Sequence, residues 1–180
     1  MENDFDNLFD GMGFGGDPSD PRSGEWFERK TQPQHAMKEL EVHVVSVFEA
    51  IAQSEDKPEE RLSVEYFVLL QDNSGRQFRI MVVPEMASAI HMAHRHITPD
   101  RPLTHDLCRT LIDRLGANVD RVVIDDLLQL TYYAKIVINQ GDRQIELDAR
   151  PSDAIAVALR CKAPIYAVES VLEANETQED

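Results

Sequence analysis

From Glu39 to Glu49 apolar and polar residues alternate (ELEVHVVSVFE) with high β-branched content, the pattern of a half-buried strand. The alternation returns over Leu62–Gln71 and again over Gln77–Val83, and Asp72-Asn-Ser-Gly75 between them has turn chemistry. The period then changes. Met86, Ala89, Ile90 and Ala93 recur at helical spacing behind Pro84, whose fixed φ and missing N–H suit a first helical turn. A second helix is predicted over Arg101–Gly116, where Leu103, Leu107, Cys108, Leu111, Ile112 and Leu115 make one apolar face and Gly116 closes it. Strands are predicted over Val119–Asp126 and Leu128–Asn139, with Gln140-Gly-Asp142 as a hairpin turn and Arg143–Asp148 as the returning strand. Pro151 opens a third helix that is apolar from Ala154 to Leu159 and therefore enclosed on most sides. Ala163–Val168 is a last short strand and Glu169–Ala174 a last helical turn.

Two stretches share one plan. Asn73–Pro84 and Gln140–Pro151 each read as a hairpin turn, a returning strand and a proline that starts a small-residue helix. The expected architecture is a single α+β domain built from a duplicated β-β-β-α unit, with the Arg101–Gly116 helix as connector and a mixed or antiparallel sheet packed by helices. In that alignment Met86 is the counterpart of Asp153.

The ends differ in character. Residues 1–37 are rich in Gly, Asp and Pro around isolated Phe5, Leu8, Phe9, Met12 and Phe14, so an unstructured acidic extension is expected, with a docking segment for a partner protein as the sharper reading. The globular part is expected over residues 38–172 and an acidic tail over 173–180. No apolar run approaches a bilayer's thickness, so no membrane partner is expected. The start of the chain has no secretory pattern, and two cysteines inside helical patterns suit a reducing cytoplasm.

Charge narrows the possible functions. The chain holds 18 Lys and Arg against 33 Asp and Glu, a net of −15. Between Glu39 and Leu172 there are still 21 acids against 14 bases. Counterion release drives nucleic-acid affinity, so any such surface must be a local group of arginines on a repulsive background.

Five blocks in register carry a family resemblance: RPLTHDL at Arg101–Leu107, VVIDDL at Val122–Leu127, TYYA at Thr131–Ala134, DARPSDAIAVALR at Asp148–Arg160 and API at Ala163–Ile165. Over roughly Met37–Leu172 the chain resembles the bifunctional nuclease domain family. The resemblance implies a compact α+β domain, a homodimer, and DNase and RNase activity. Family members commonly carry a glycine and an acid around Val83 and Met86, where this chain is apolar.

A nuclease of this kind most simply uses carboxylates that hold Mg²⁺ or Mn²⁺ on a phosphodiester and activate water. Asp148 and Asp153 are the expected catalytic and metal-holding pair at the strand-to-helix junction, with Asp125, Asp126 and Glu146 as further acids. His105 and Asp106 are candidates for proton transfer, because histidine titrates near neutrality. Arg101 and Arg150 are placed near a phosphate, with Thr104 and Ser152 beside them and Tyr132 or Tyr133 as a stacking surface. The same residues also fit structural roles, with Thr104 as a helix cap, Asp106 and Asp153 complementing helix dipoles and the tyrosines packing. His91, His94 and His96 lack a matching second ligand pair for zinc. The expected function is metal-assisted hydrolysis of DNA and RNA phosphodiesters; the alternative is a non-catalytic dimeric module that binds a ligand or protein.

Overall fold

The computed structural model describes residues 38–52 and 63–176; the expectations for residues 1–37 and for the last four residues lie outside that range. In chain order the elements are β1 (Glu39–Ala52), β2 (Ser63–Asp72), β3 (Gln77–Val82), α1 (Pro84–His94), α2 (Thr104–Arg114), β4 (Asn118–Leu128), β5 (Thr131–Gln140), β6 (Arg143–Ala149), α3 (Pro151–Cys161), β7 (Ile165–Val168) and α4 (Glu169–Glu176). The fold is α+β, and three strands followed by a helix occur twice in this order.

The seven strands form one mixed sheet in the order β3-β2-β1-β7-β4-β5-β6. β1-β2-β3 and β4-β5-β6 are antiparallel meanders, and β7 joins them, antiparallel to β1 and parallel to β4. The alternation seen in the sequence is the pleat. Phe78, Ile80 and Val82 of β3 point into the core and their neighbours point out. Val44, Leu70, Phe78 and Ile136 share one hydrophobic cluster with Ile90 of α1, Ile155 of α3 and Leu172 of α4. Asp72 secures the β2–β3 turn by accepting hydrogen bonds from Ser74 and Arg76. Burial pushes its carboxyl up, but those bonds outweigh burial and hold its pKa at about 2.

The sheet is strongly curled. β3 and β5 are separated by four strands, which in a flat sheet would put them roughly 24 Å apart at about 4.8 Å per step. Yet the rings of Phe78 and Tyr132 meet with centroids 6.0 Å apart. Curling turns the end of β3 towards the β4–β5 hairpin and creates a concave space between them.

Four local expectations need correction. The α2 helix begins at Thr104, and Leu103 is its N-cap, so Thr104 does not cap it. The Leu103 N–H instead donates to Asp106 Oδ2 at 2.8 Å. The apolar face of α2 is divided: Cys108 and Ile112 pack against the core, whereas Leu107, Leu111 and Leu115 are exposed. β5 begins at Thr131 because Gln129 and Leu130 form a two-residue hairpin, both at positive φ (48° and 64°). α4 also runs on to Glu176, past the expected start of the tail.

Candidate functional site: a polar junction at the mouth of an arginine cleft

The start of α3 is built by its own sequence. Arg150 is the N-cap in an extended conformation, Pro151 follows at the first helical position, and Asp153 stands in the first turn. An acid there complements the helix dipole, but here it also has side-chain partners. Arg150 Nε donates to Asp153 Oδ2 at 2.7 Å, and His105 Nε2 lies 3.1 Å from Asp153 Oδ1. An ionised carboxylate only accepts, so Nε2 carries the hydrogen of this bond. The His105 Nδ1 is buried and has no partner among the described residues. Burial pushes the Asp153 carboxyl up, but the bonds from Arg150 and His105 win and lower it. Asp153 is therefore ionised at neutral pH and holds the base of the Arg150 guanidinium.

Behind this junction a second ion pair ties the helices together. Arg160 Nε donates to Asp106 Oδ1 at 2.6 Å, while its two terminal nitrogens donate to the carbonyls of Ala156 and Ala89. Its side chain is only 6 % exposed. Arg160 thus joins α1, α2 and α3 through one guanidinium, and burial without those acceptors would be costly. Burial also raises the Asp106 pKa, but the Leu103 N–H and Arg160 outweigh it and the net direction is down. Asp106 is thus held as an ionised acceptor between the start of α2 and Arg160 of α3.

In front of the junction lies a cleft of about 500 Å³. Its walls are the end of β3 from Arg79 to Val83, the β4–β5 hairpin at Leu127, Leu130 and Tyr132, and the α3 start at Arg150, Pro151 and Ser152. Phe67, Met86, Thr131 and Asn175 complete the described lining. Among the described residues that line it, Arg79 and Arg150 are the charged ones and none is acidic. The Arg79 guanidinium lies 5.9 Å from the Phe67 ring centre, a cation–π distance, which holds its stem along the wall. The Tyr132 hydroxyl donates to Asn175 Oδ1 at 2.7 Å, and burial raises its pKa, so it is a neutral wall residue.

The expected site residues divide accordingly. Arg150, Ser152 and Tyr132 line the cleft. His105, Asp106 and Asp153 form the polar support behind it. Arg101 and Thr104 are exposed near the start of α2 and are not among the residues lining the cleft. Tyr133 alternates with Tyr132 and so projects from the other sheet face. Asp148 is also on that other face: its neighbours Leu147 and Ala149 pack on the core that α3 covers, and Asp148 stands exposed beside Lys135. The expected pairing of Asp148 with Asp153 does not form. Both Asp153 oxygens already have partners, and among the described residues no three His, Cys, Asp or Glu side chains converge as metal ligands. The donor set therefore does not fit a metal held by Asp148 and Asp153.

The hairpin at the mouth of the cleft stores strain. Positive φ at both central residues is the type I′ geometry that favours Asn-Gly, whereas Gln129 and Leu130 pay a steric cost of about 1 kcal/mol each. Leu130 is nevertheless 78 % exposed over the cleft, so core packing does not offset that cost. Replacing Gln129-Leu130 with Asn-Gly is expected to stabilise the fold by roughly 1–2 kcal/mol in chemical denaturation and to weaken ligand binding in the cleft. Unchanged stability would show that the turn carries no strain.

A sequence profile of the bifunctional nuclease domain matches residues 68–180. An uncharacterized protein of Mycobacterium tuberculosis (strain ATCC 25618 / H37Rv) is 39% identical over 132 residues, which is 73% of each chain. Bifunctional nuclease 2 of Oryza sativa subsp. japonica is 33% identical over 124 residues, covering 67% of this chain and 38% of the rice protein. Bifunctional nuclease 2 of Arabidopsis thaliana is 32% identical over 100 residues, 53% of this chain and 30% of the plant protein. The similarity thus spans well under half of the plant proteins' length. By this profile match, which covers more than half its length, the chain belongs to the bifunctional nuclease domain family.

Proposed function

We propose that this domain binds DNA or RNA strands and hydrolyses their phosphodiester bonds, with the substrate phosphate held in the cleft by Arg79 and Arg150. The observation that carries this reading is the cleft's charge: two arginines and no acid among its described lining residues, on a chain of net charge −15. Guanidinium forks match phosphate oxygens and can stabilise the charge that grows on them in the transition state. Asp153 and His105 act as positioning residues, because they fix the guanidinium of Arg150 rather than touch the phosphate. The names of the plant relatives and the family resemblance support the same reaction class.

A second reading rests on a separate observation. No carboxylate, imidazole or thiol is among the described residues that line the cleft, so a general base is not in reach of a bound phosphate. Under that reading the cleft binds its ligand without cleaving it.

Paired variants in a cleavage assay test the assignment. Asp153→Asn is expected to lower kcat/KM about tenfold, the loss of roughly 1.4 kcal/mol of arginine positioning. Asp148→Asn, on the other face of the sheet, should stay within about twofold of the parent protein. The reverse order would return catalysis to Asp148, and binding without turnover in the parent protein would favour the second reading.

A further inference from the structure

We propose that the β3 edge, where it borders the cleft, is a strand-addition site for an extended peptide that alternates acidic and apolar side chains. β3 ends the sheet, and among the described residues it pairs only with β2. A terminal strand leaves every second residue's N–H and C=O directed outward, free to accept another strand.

The two ends of the sheet are protected differently. β6, at the other end, carries Arg143, Glu146 and Asp148, and charges of this kind discourage pairing. The last residues of β3 and its exit, Ile80 to Val83, carry none, and Met81 and Val83 are 62 % and 55 % exposed. Five consecutive residues, Arg79 to Val83, border the cleft. An added strand there would have Leu130 and Pro151 across from it.

Charge and pleat together define the peptide. Arg79 and Met81 project from one face of β3, and Ile80 and Val82 from the other. Cross-strand neighbours share a face, so an acid belongs opposite Arg79 and apolar residues belong opposite Ile80 and Val82. Arg150 across the cleft, its Nε paired with Asp153, supplies a second guanidinium, and no acid is among the described residues that line the cleft. The occupant is a protein segment in extended form, and its binding would exclude nucleic acid from the same cleft. This inference goes beyond the proposed hydrolysis and does not depend on it.

The test uses the full chain and a fluorescein-labelled hexapeptide alternating aspartate with valine and phenylalanine, followed by anisotropy. Two further peptides carry N-methyl groups, one on each alternate set of residues, so that each blocks one edge of the peptide. The parent peptide should bind, and one N-methylated form should bind at least ~10-fold more weakly, because its ladder hydrogen bonds cannot form. Arg79→Glu should weaken the parent peptide by a similar ~10-fold or more. Amide exchange at Gln77–Val82 should slow when the peptide is bound. Equal binding of all three peptides, or no binding of the parent peptide at ~1 mM, overturns the proposal. Nucleic-acid cleavage without peptide binding would sink this inference alone, and peptide binding without cleavage would sink only the nuclease reading.

Discussion

Replacing Arg79 and Arg150 together with alanine is expected to reduce kcat/KM on short DNA and RNA strands by about 10²–10³-fold, with each charge-assisted contact worth roughly 1.5–3 kcal/mol. Each single variant should lose about tenfold or somewhat more. The arginines face an open cleft, and the Arg150 side chain is 74 % exposed, so the double variant should unfold at nearly the same denaturant concentration as the parent. Loss of activity with retained stability separates a binding role from a folding role. If the double variant cleaves as fast as the parent protein, the cleft is not where the phosphate sits.

The largest stability effect is expected at a residue that does not touch the cleft. Arg160→Ala removes the guanidinium that satisfies Asp106 and the carbonyls of Ala156 and Ala89. Asp106 is 30 % exposed and keeps the Leu103 N–H, so the cost lies mainly in the lost hydrogen bonds and packing of the buried guanidinium, about 2–4 kcal/mol. Domains of this size are stable by only about 5–15 kcal/mol, so urea unfolding should shift to markedly lower concentration. Arg160→Met restores volume but not the hydrogen bonds, and should recover only the packing part of the loss. A loss below about 1 kcal/mol in Arg160→Ala would mean that water satisfies Asp106 and the carbonyls of Ala156 and Ala89, and that the helices are joined by packing alone.

Most of the fold was legible in the amino-acid pattern because strands and helices have different periods. The alternation over β1, β2 and β3, the prolines that open α1 and α3, and the turn at Gln140-Gly-Asp142 all read locally. The β4–β5 turn did not. Gln129-Leu130 lacks the Asn-Gly chemistry that its φ angles favour, so nothing in the local sequence marks it. The exposure of Leu107, Leu111 and Leu115 was also hidden, since an apolar stripe does not say how much of itself is covered.

The site was legible in part for a similar reason. Arg150, Ser152 and Tyr132 lie in recognisable blocks and do line the cleft. Arg79 and Phe67 were missed because they reach it only through the curl of the sheet, a property of the whole fold and not of a motif. Arg160 had a signal that could have been used: a lone arginine at the end of an apolar helical run is rarely buried without partners. Asp148 misled because it sits three residues before the helix start. The pleat sends it to the opposite face, while Asp153 turns inward to His105 and Arg150.

The central claim is that Arg79 and Arg150 hold the phosphates of a bound strand. The most direct measurement is the salt dependence of binding for a short single-stranded oligonucleotide, in the parent protein and in the Arg79→Ala/Arg150→Ala variant. Two phosphate contacts predict a slope of about −1.4 for log K against log salt in the parent protein, and a slope near zero in the variant. An unchanged slope in the variant would place the nucleic acid elsewhere on the molecule and contradict the claim.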